Sequence, residues 1–284
     1  MLILSEQHLV HTHVTTAPRD AEEDAARLPA GAYDLVVGAG GDGTLHEVVN
    51  GLMAKPPAAR PPIGYIPLGT SSVFAWEMGL PRDPEVATRA LARSNVSSLT
   101  LIDLARIRLR RNGREEERYA VLMAGVGFDG AAVRAVGPRL KAVGGKLAYI
   151  LSGLMTWLRL RTSPMRVELD GVPHGLATYA IAANARAYGG NLSLTPDANI
   201  RDGWLDVGLF HGRSRWAFAT LILNTLVGRP LATRQYSTVR ARRVGLFPQD
   251  GVTVPVQLDG EGGWELPGEV EMVAGALRVL IPPP

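Results

Sequence analysis

An aspartate set among glycines is the first place where this chain could do chemistry. Gly38, Gly40, Gly41 and Gly43 form a turn with almost no side chains, and Asp42 is its one charged residue. Before the turn, Leu35–Val37 is the short apolar, β-branched run that a buried parallel strand requires. After it, Leu45, Val48, Val49 and Leu52 share one face of a helix running to about Leu52, which Thr44 could cap. Strand, glycine turn and helix start bind anions: N–H groups and the helix dipole point at the ligand, and missing Cβ atoms let the backbone approach it.

Three phosphate chemistries compete for this turn. Gly38–Gly43 fits G-x-G-x-x-G, but that fingerprint wants an acidic residue about 20 positions on. From Val48 to Trp76 there is no Asp or Glu. The Walker A pattern fails because Thr44 follows Gly43 where lysine is needed. The third reading takes Gly40-Gly41-Asp42-Gly43-Thr44 as the unit. An Asp in an anion loop repels phosphate unless a cation or a hydrogen-bond network compensates, which suits Mg·ATP. The plainer alternative is that Asp42 merely caps the helix.

Other carboxylates stand where they need partners. Asp103 lies inside the strand-like Leu101-Ile102-Asp103-Leu104, where a carboxylate is costly unless paired; a backbone-bonded strand end would also account for it. Asp259-Gly260-Glu261 follows the alternating Val254, Val256 and Leu258, as a plain hairpin turn or as two acids delivered to a cleft. Asp202 could be a turn acid. His11 and His13 sit in an alternating Val10–Val14 segment and read as exposed strand histidines, with no third metal ligand nearby.

The elements that must position these groups fall into two halves. Pro18–Leu28 reads as a helix with acids at its positive end. Pro56–Pro62 is a connector, Ile63–Pro67 a second strand, and Leu68–Ala75 a second turn opening a helix. Asp83–Ala92 reads as a helix and Ser97–Leu109 as a strand. Thereafter Arg106–Arg111, Arg118–Met123, Met165–Leu169, Thr178–Asn184, Leu205–Phe210 and Arg242–Leu246 read as strands, with a last pair in Glu269–Ile281. Leu147–Leu158 and Trp216–Leu223 are uncharged helical runs, core or lipid-facing.

Composition narrows the class. The 284 residues, 46% hydrophobic and 20% charged, suit one or two soluble domains with a sizeable core. There is no cysteine, hence no disulfide or thiol chemistry. No run approaches the roughly 20 apolar residues of a membrane span, and no signal peptide is evident. Net charge is +3, but Gly130–Val167 and Val207–Gln249 together hold fourteen of the 30 basic residues and none of the 27 acids. Such asymmetry points to an anionic surface or to a merely solvated basic face.

At these residues the chain resembles the diacylglycerol kinase catalytic-domain family, soluble bacterial lipid kinases related to sphingosine kinases. Gly40–Thr44 matches its G-G-D-G-T. Gly69, Thr70, Phe74 and Ala75 match G-T-x-N-x-hydrophobic-A, with Ser72 replacing the usual Asn. Gly125–Asp129 matches G-x-G-F-D, Lys146–Tyr149 a helix start, and Asp170-Gly171 a turn. Asn184, Gly189, Gly190, Pro196, Ala198, Asp202, Gly203, Leu205 and Asp206 match a further stretch, and Asp259–Glu261 the D-G-E motif. The family's first strand and its Asn-Pro-x-Ser-Gly loop are not present in this sequence, so either the recorded start is late or part of the nucleotide pocket is missing.

The resemblance implies an α/β nucleotide-binding domain over 1–103 plus about 275–284, and a β-sandwich lipid-substrate domain over 104–274. It implies ATP and Mg²⁺ as cofactors and transfer of the γ-phosphoryl group to a lipid hydroxyl. Gly40, Gly41, Asp42, Gly43, Thr44, Gly69, Thr70, Ser72 and Glu261 would bind the nucleotide. Asp42 and Asp103 would organise Mg²⁺ or water, and Asp259 would take the hydroxyl proton. Asp202, with carbonyls of Asn199 and Trp204, would hold a second Mg²⁺. The expected partners are a lipid and an anionic membrane surface touched from the cytoplasm, not nucleic acid, and a homodimer is compatible. A nucleotide- or lipid-binding protein without turnover and an NAD kinase are the alternatives; the Asn-Glu pair and T-P-T-G-S-T-A-Y stretch of NAD kinases are absent.

Overall fold

Two short parallel strands carry the two turns. In the computed structural model, which describes residues 2–135, 164–188, 193–212, 214–226, 234–249 and 251–282, β1 (Val36–Gly40) pairs with β2 (Ile63–Pro67) from Val36↔Ile63 to Gly40↔Pro67. Parallel pairing demands a crossover, supplied by α3 (Asp42–Met53). Its Leu45, Val48, Val49 and Leu52 are buried with Ile63 and Tyr65 of β2. Helices α1 (Leu2–Ser5), α2 (Asp20–Arg27), α4 (Val73–Glu77) and α5 (Pro84–Ala92) complete this half. Lys55 Nζ donates to the carbonyls of Ala26 and Leu28, closing the C-terminus of α2. Asp83 caps α5 by accepting from Glu85 and Val86 N–H, with Pro84 in the first turn.

The second half is built from strands. They are β3 (Leu99–Arg111), β4 (Arg114–Ala120), β5 (Met123–Val126), β6 (Met165–Leu169), β7 (Val172–Ala177), β8 (Tyr179–Ala183), β9 (Leu205–Phe210), β10 (Tyr236–Ala241), β11 (Arg243–Pro248), β12 (Pro255–Leu258) and β13 (Glu261–Leu280). Helix α6 (Phe128–Ala135) follows β5, and α7 (Arg215–Leu226) follows β9. The strands run β10-β9-β8-β5-β12-β13-β11-β6-β7, with β4 joined through β3 to β13. One face of nearly every strand feeds a common core that includes Ile107, Val126, Val167, Ala182, Val207, Leu246, Val256 and Trp264, so the sheet closes over itself as a sandwich. On β8 the alternation is explicit: Ala180 and Ala182 face this core, while Tyr179 and Ile181 face the core shared with the α/β half.

Strand β13 spans both halves. It runs antiparallel to β3 and then meets β2 in parallel at Val279↔Ile63. The expected pair of strands in 269–281 is thus one 20-residue strand. Register shifts at Glu265/Glu269 and Val273/Leu277 bend it, so no turn is needed to redirect the chain.

Two other expectations are corrected. Val10–Val14 is not a strand: its alternation has no sheet edge to join, Val14 stays exposed, and His13 pairs with Asp24 while His11 meets Tyr33. Thr44 is not the helix cap. The helix starts at Asp42, with Gly41 extended at the cap position, so Thr44 lies within the first turn. The Lys146–Tyr149 match, the 147–158 helix, Gly189 and Gly190 lie outside the described residues, as do Arg139, Lys141, Arg159, Arg161, Arg213 and Arg229.

Candidate active site

The two turns pack backbone against backbone. A Cβ on Gly69 would lie 2.7 Å from Gly41 Cα, so only glycine permits this approach. Leu68 N–H donates to the Gly40 carbonyl at 2.8 Å, and the Tyr65 hydroxyl donates to the same oxygen at 3.1 Å. Burial, and then the charge of Asp42, push the Tyr65 hydroxyl pKa upward. Thr44 Oγ1 sits beside Gly40. Ser72 is buried in the left-handed region at φ 40°, its hydroxyl donating to the Gly69 carbonyl at 2.9 Å, while Thr70 is exposed.

Asp42 resolves the puzzle of an acid in an anion turn. Its carboxylate points away from its own helix and accepts from Val73 N–H at 2.8 Å and Phe74 N–H at 3.1 Å, the first N–H groups of α4. Burial raises its pKa, the two N–H donors pull it down, and Asp259 nearby raises it again. The carboxylate therefore closes α4 and leaves the N-terminus of α3 with no side-chain cap. The N–H groups of a helix's first turn have no intrahelical acceptor, and such groups can bind an anion.

Asp259 and Glu261 approach from the far end of the chain. The Asp259 side chain is 2% exposed, on left-handed backbone at φ 50°. Its Oδ2 accepts from Val121 N–H at 2.8 Å and faces His46 Nδ1 at 3.1 Å. Its Oδ1 accepts from Leu122 N–H at 2.8 Å and Met123 N–H at 3.0 Å. Three backbone N–H groups and the His46 ring thus surround the Asp259 carboxyl group. Glu261, two residues on, is half-buried instead, with Oε1 3.0 Å from where a Cβ of Gly43 would stand. It lies over the first turn of α3.

Asp103 is elsewhere. Its two oxygens accept from Gly203 N–H and Gly275 N–H, each at 2.7 Å, stapling the 199–204 loop to the bend in β13. With Arg201, Asp202 and Arg242 it lines a cleft of about 550 Å³ to which neither glycine turn nor 259–261 contributes. Asp202 is already engaged: Arg240 pairs with Oδ2, and Trp204 N–H donates to Oδ1 at 3.1 Å. The Asn199 carbonyl accepts Asp202 N–H at 3.3 Å. A guanidinium thus pairs with the one carboxylate of the expected Mg²⁺ set, whose other two donors would be backbone carbonyls.

Polar residues on the buried face of α3 escaped sequence reasoning. His46 reaches Asp259, and Asn50, one turn on, holds both the N–H and the carbonyl of Tyr119. Their spacing of four, interleaved with the apolar face, was the available signal. Asn184 extends the seam, donating to the carbonyls of Asp103 and Val121.

Comparison with known proteins bears on the family and the fold. Residues 2–104 match the diacylglycerol kinase catalytic domain, and residues 120–281 the YegS C-terminal NAD kinase beta sandwich-like domain. A diacylglycerol kinase of Bacillus subtilis (strain 168) is 30% identical over 95% of this chain and 85% of its own. A diacylglycerol kinase of Mycobacterium tuberculosis (strain CDC 1551 / Oshkosh) is 31% identical over 93% and 82%. A crystal structure of a diacylglycerol kinase from Bacillus anthracis str. Sterne, 21% identical, shares the fold at TM-score 0.67 over 95% of this chain and 84% of that one.

Proposed function

The chain belongs to the diacylglycerol kinase catalytic-domain family and is a lipid kinase, and from that premise we propose that it transfers the γ-phosphoryl group of Mg·ATP to a diacylglycerol-like hydroxyl. The observation that carries this reading is the uncapped N-terminus of α3 between two touching glycine turns, with the Glu261 carboxylate above it. Phosphoryl transfer needs mainly positioning and charge stabilisation. N–H groups of the α3 first turn would hold phosphate oxygens, and Gly40, Gly41 and Gly69 would let the backbone approach them. Asp42 keeps that turn open by closing α4.

The proton is assigned to Glu261 rather than Asp259, because the hydrogen bonds of Asp259 occupy both its oxygens. As the lipid oxygen bonds to the γ-phosphorus, its bond to the β-bridging oxygen breaks, ADP leaves, and Glu261 receives the hydroxyl proton. Asp103 is assigned to holding the cleft together, and no step is routed through Asp202, Asn199 or Trp204. Residues 1–103 with 275–284 would carry the nucleotide, and 104–274 the lipid.

A peripheral position on the cytoplasmic face of an anionic membrane is supported by α7, where Trp216 is 64% and Leu223 59% exposed. No helix among the described residues is long and apolar enough to cross a membrane. The test is incubation of the purified chain with labelled ATP, Mg²⁺ and diacylglycerol, phosphatidylglycerol or a sphingoid base in mixed micelles, with NAD as a separate arm. Labelled phosphatidic acid is expected. Label in NADP alone, or ATP binding without any labelled product, would refute the proposal.

A further inference from the structure

We propose that His46 is a positioning residue for phosphoryl transfer: its Nδ1–H fixes the Asp259 carboxylate and so holds Glu261 over the first turn of α3. The proposal rests on the reading of Glu261 as the proton acceptor. The tautomer follows from the geometry. With Asp259 taken as a carboxylate accepting three backbone N–H groups, the 3.1 Å contact to His46 Nδ1 is a donation by the ring. In the neutral ring Nε2 then carries a bare lone pair. It is buried and has no hydrogen-bond partner among the described residues, in a residue only 2% exposed.

A chain that needed only packing here could use leucine, and one that needed only a hydrogen bond could use asparagine, whose Nδ2 lies as many bonds from Cα as His Nδ1. Neither would bury an unpaired ring nitrogen. What His46 supports is a turn under constraint. Asp259 lies in left-handed backbone at φ 50°, uncommon for a non-glycine residue, and its side-chain anchors hold it there. Three anchors come from one corner of the sandwich half, residues 121–123; the fourth, His46, comes from the phosphate-binding helix itself. His46 thereby ties the position of the 259–261 turn to α3. Trp264 flanks the imidazole, with ring centroids 6.4 Å apart.

The experiment compares the full-length wild type with His46→Leu and His46→Asn. A long-range proton–nitrogen correlation spectrum of the wild type should show His46 protonated at Nδ1 and bare at Nε2. With ATP and diacylglycerol in mixed micelles, His46→Leu should lose about tenfold or more in kcat, while the KM for ATP stays within about threefold. His46→Asn should recover most of that loss, because it restores the donor. A neutral ring protonated at Nε2, a wild-type kcat in His46→Leu, or no rescue by His46→Asn overturns the proposal. If His46→Leu fails to fold, the spectrum decides together with His46→Asn, which must then stay within about threefold of wild type. Failure of the wild type to phosphorylate any lipid sinks the kinase reading instead, and the spectrum tests the tautomer independently of it.

Discussion

Replacing Gly69 by alanine tests the touching turns directly. The added Cβ would stand 2.7 Å from Gly41 Cα, 3.4 Å from Ser72 Oγ and 3.6 Å from Gly41 N. Ordinary carbon–carbon contact is about 3.5–4.0 Å, so the two turns must part by about 1 Å. Neither can yield by rotating a side chain, because the contact is with backbone. Overpacking of this kind costs about 1–3 kcal/mol, which for a chain of this size lowers Tm by roughly 2–4 °C per kcal/mol. A 1 Å misplacement of a binding group costs about 10²-fold in rate, and here it falls on kcat/KM for ATP. The control is Gly38→Ala, in the same glycine-rich stretch, where the new Cβ would meet only Val48 Cγ2 at 3.9 Å. Steady-state kinetics against ATP, with thermal unfolding of both variants, measure the two effects. A Gly69→Ala protein with wild-type KM and Tm would show that the turns do not need their close approach.

Further substitutions separate the roles of the acids. Glu261→Gln should lower kcat by about 10²- to 10⁴-fold with ATP binding retained. Asp259→Asn should instead lower stability by about 1–3 kcal/mol, because its amide N–H₂ would face backbone donors; the reverse pattern in kinetics and urea unfolding would return the base to Asp259. Glu22 and Arg118 form a two-armed pair at 2.6 Å that ties α2 to β4. Burial pushes Glu22 upward, but hydrogen bonds from Arg118 and Arg19 outweigh it and hold its pKa below the usual range. Its stabilisation is therefore complete above the unfolded value of about 4.3 and lost as pH falls through the lower folded value. Glu22→Gln should cost about 3 kcal/mol at pH 7, with the gap to wild type closing below about pH 4; a gap independent of pH would refute the pairing. Binding to anionic vesicles should exceed binding to neutral ones and weaken with salt, since surface charges are screened within roughly 10 Å at 0.1 M. Equal sedimentation with both vesicle types at low salt would remove the basic surface from the account.

The first glycine turn was legible as structure because its information is local. Glycines at 38, 40, 41 and 43 and an apolar face repeating through Leu45–Leu52 specify strand, turn and helix without reference to the rest of the chain. What fails is whatever depends on distant partners. The donors that occupy Asp259 lie at Val121, Leu122 and Met123, 136 to 138 positions away. Asp103 answers to Gly203 and Gly275, 100 and 172 positions away. Alternation at Val10–Val14 has the period of a strand, but a strand also needs a neighbour's edge, which no single segment announces. The acid-free stretches mislead for the same reason: Arg240 pairs with Asp202, and Arg243 with Glu269 and Glu271. Part of the basic surface implied by sequence is neutralised across the sheet.

Asp42 shows how local and distant information combine at a functional site. Sequence alone poses a conflict, an anion inside an anion-binding turn, and any resolution must come from outside the turn. The resolution is the start of α4, whose N–H groups take the Asp42 carboxylate and whose preceding turn carries Gly69 against Gly41. The second glycine turn is therefore required twice, once for space and once to bring α4 within reach of Asp42. A change at either turn must act on the other. It follows that Gly69→Ala should also lengthen the Asp42 contacts and expose its carboxylate, relieving the burial that raises its pKa. The Asp42 carboxylate should then titrate lower in Gly69→Ala than in wild type, as carbon-detected NMR of the side-chain carboxyls would report. An unchanged titration in a variant whose ATP KM has risen would mean that the two turns move independently and that their contact does not couple them.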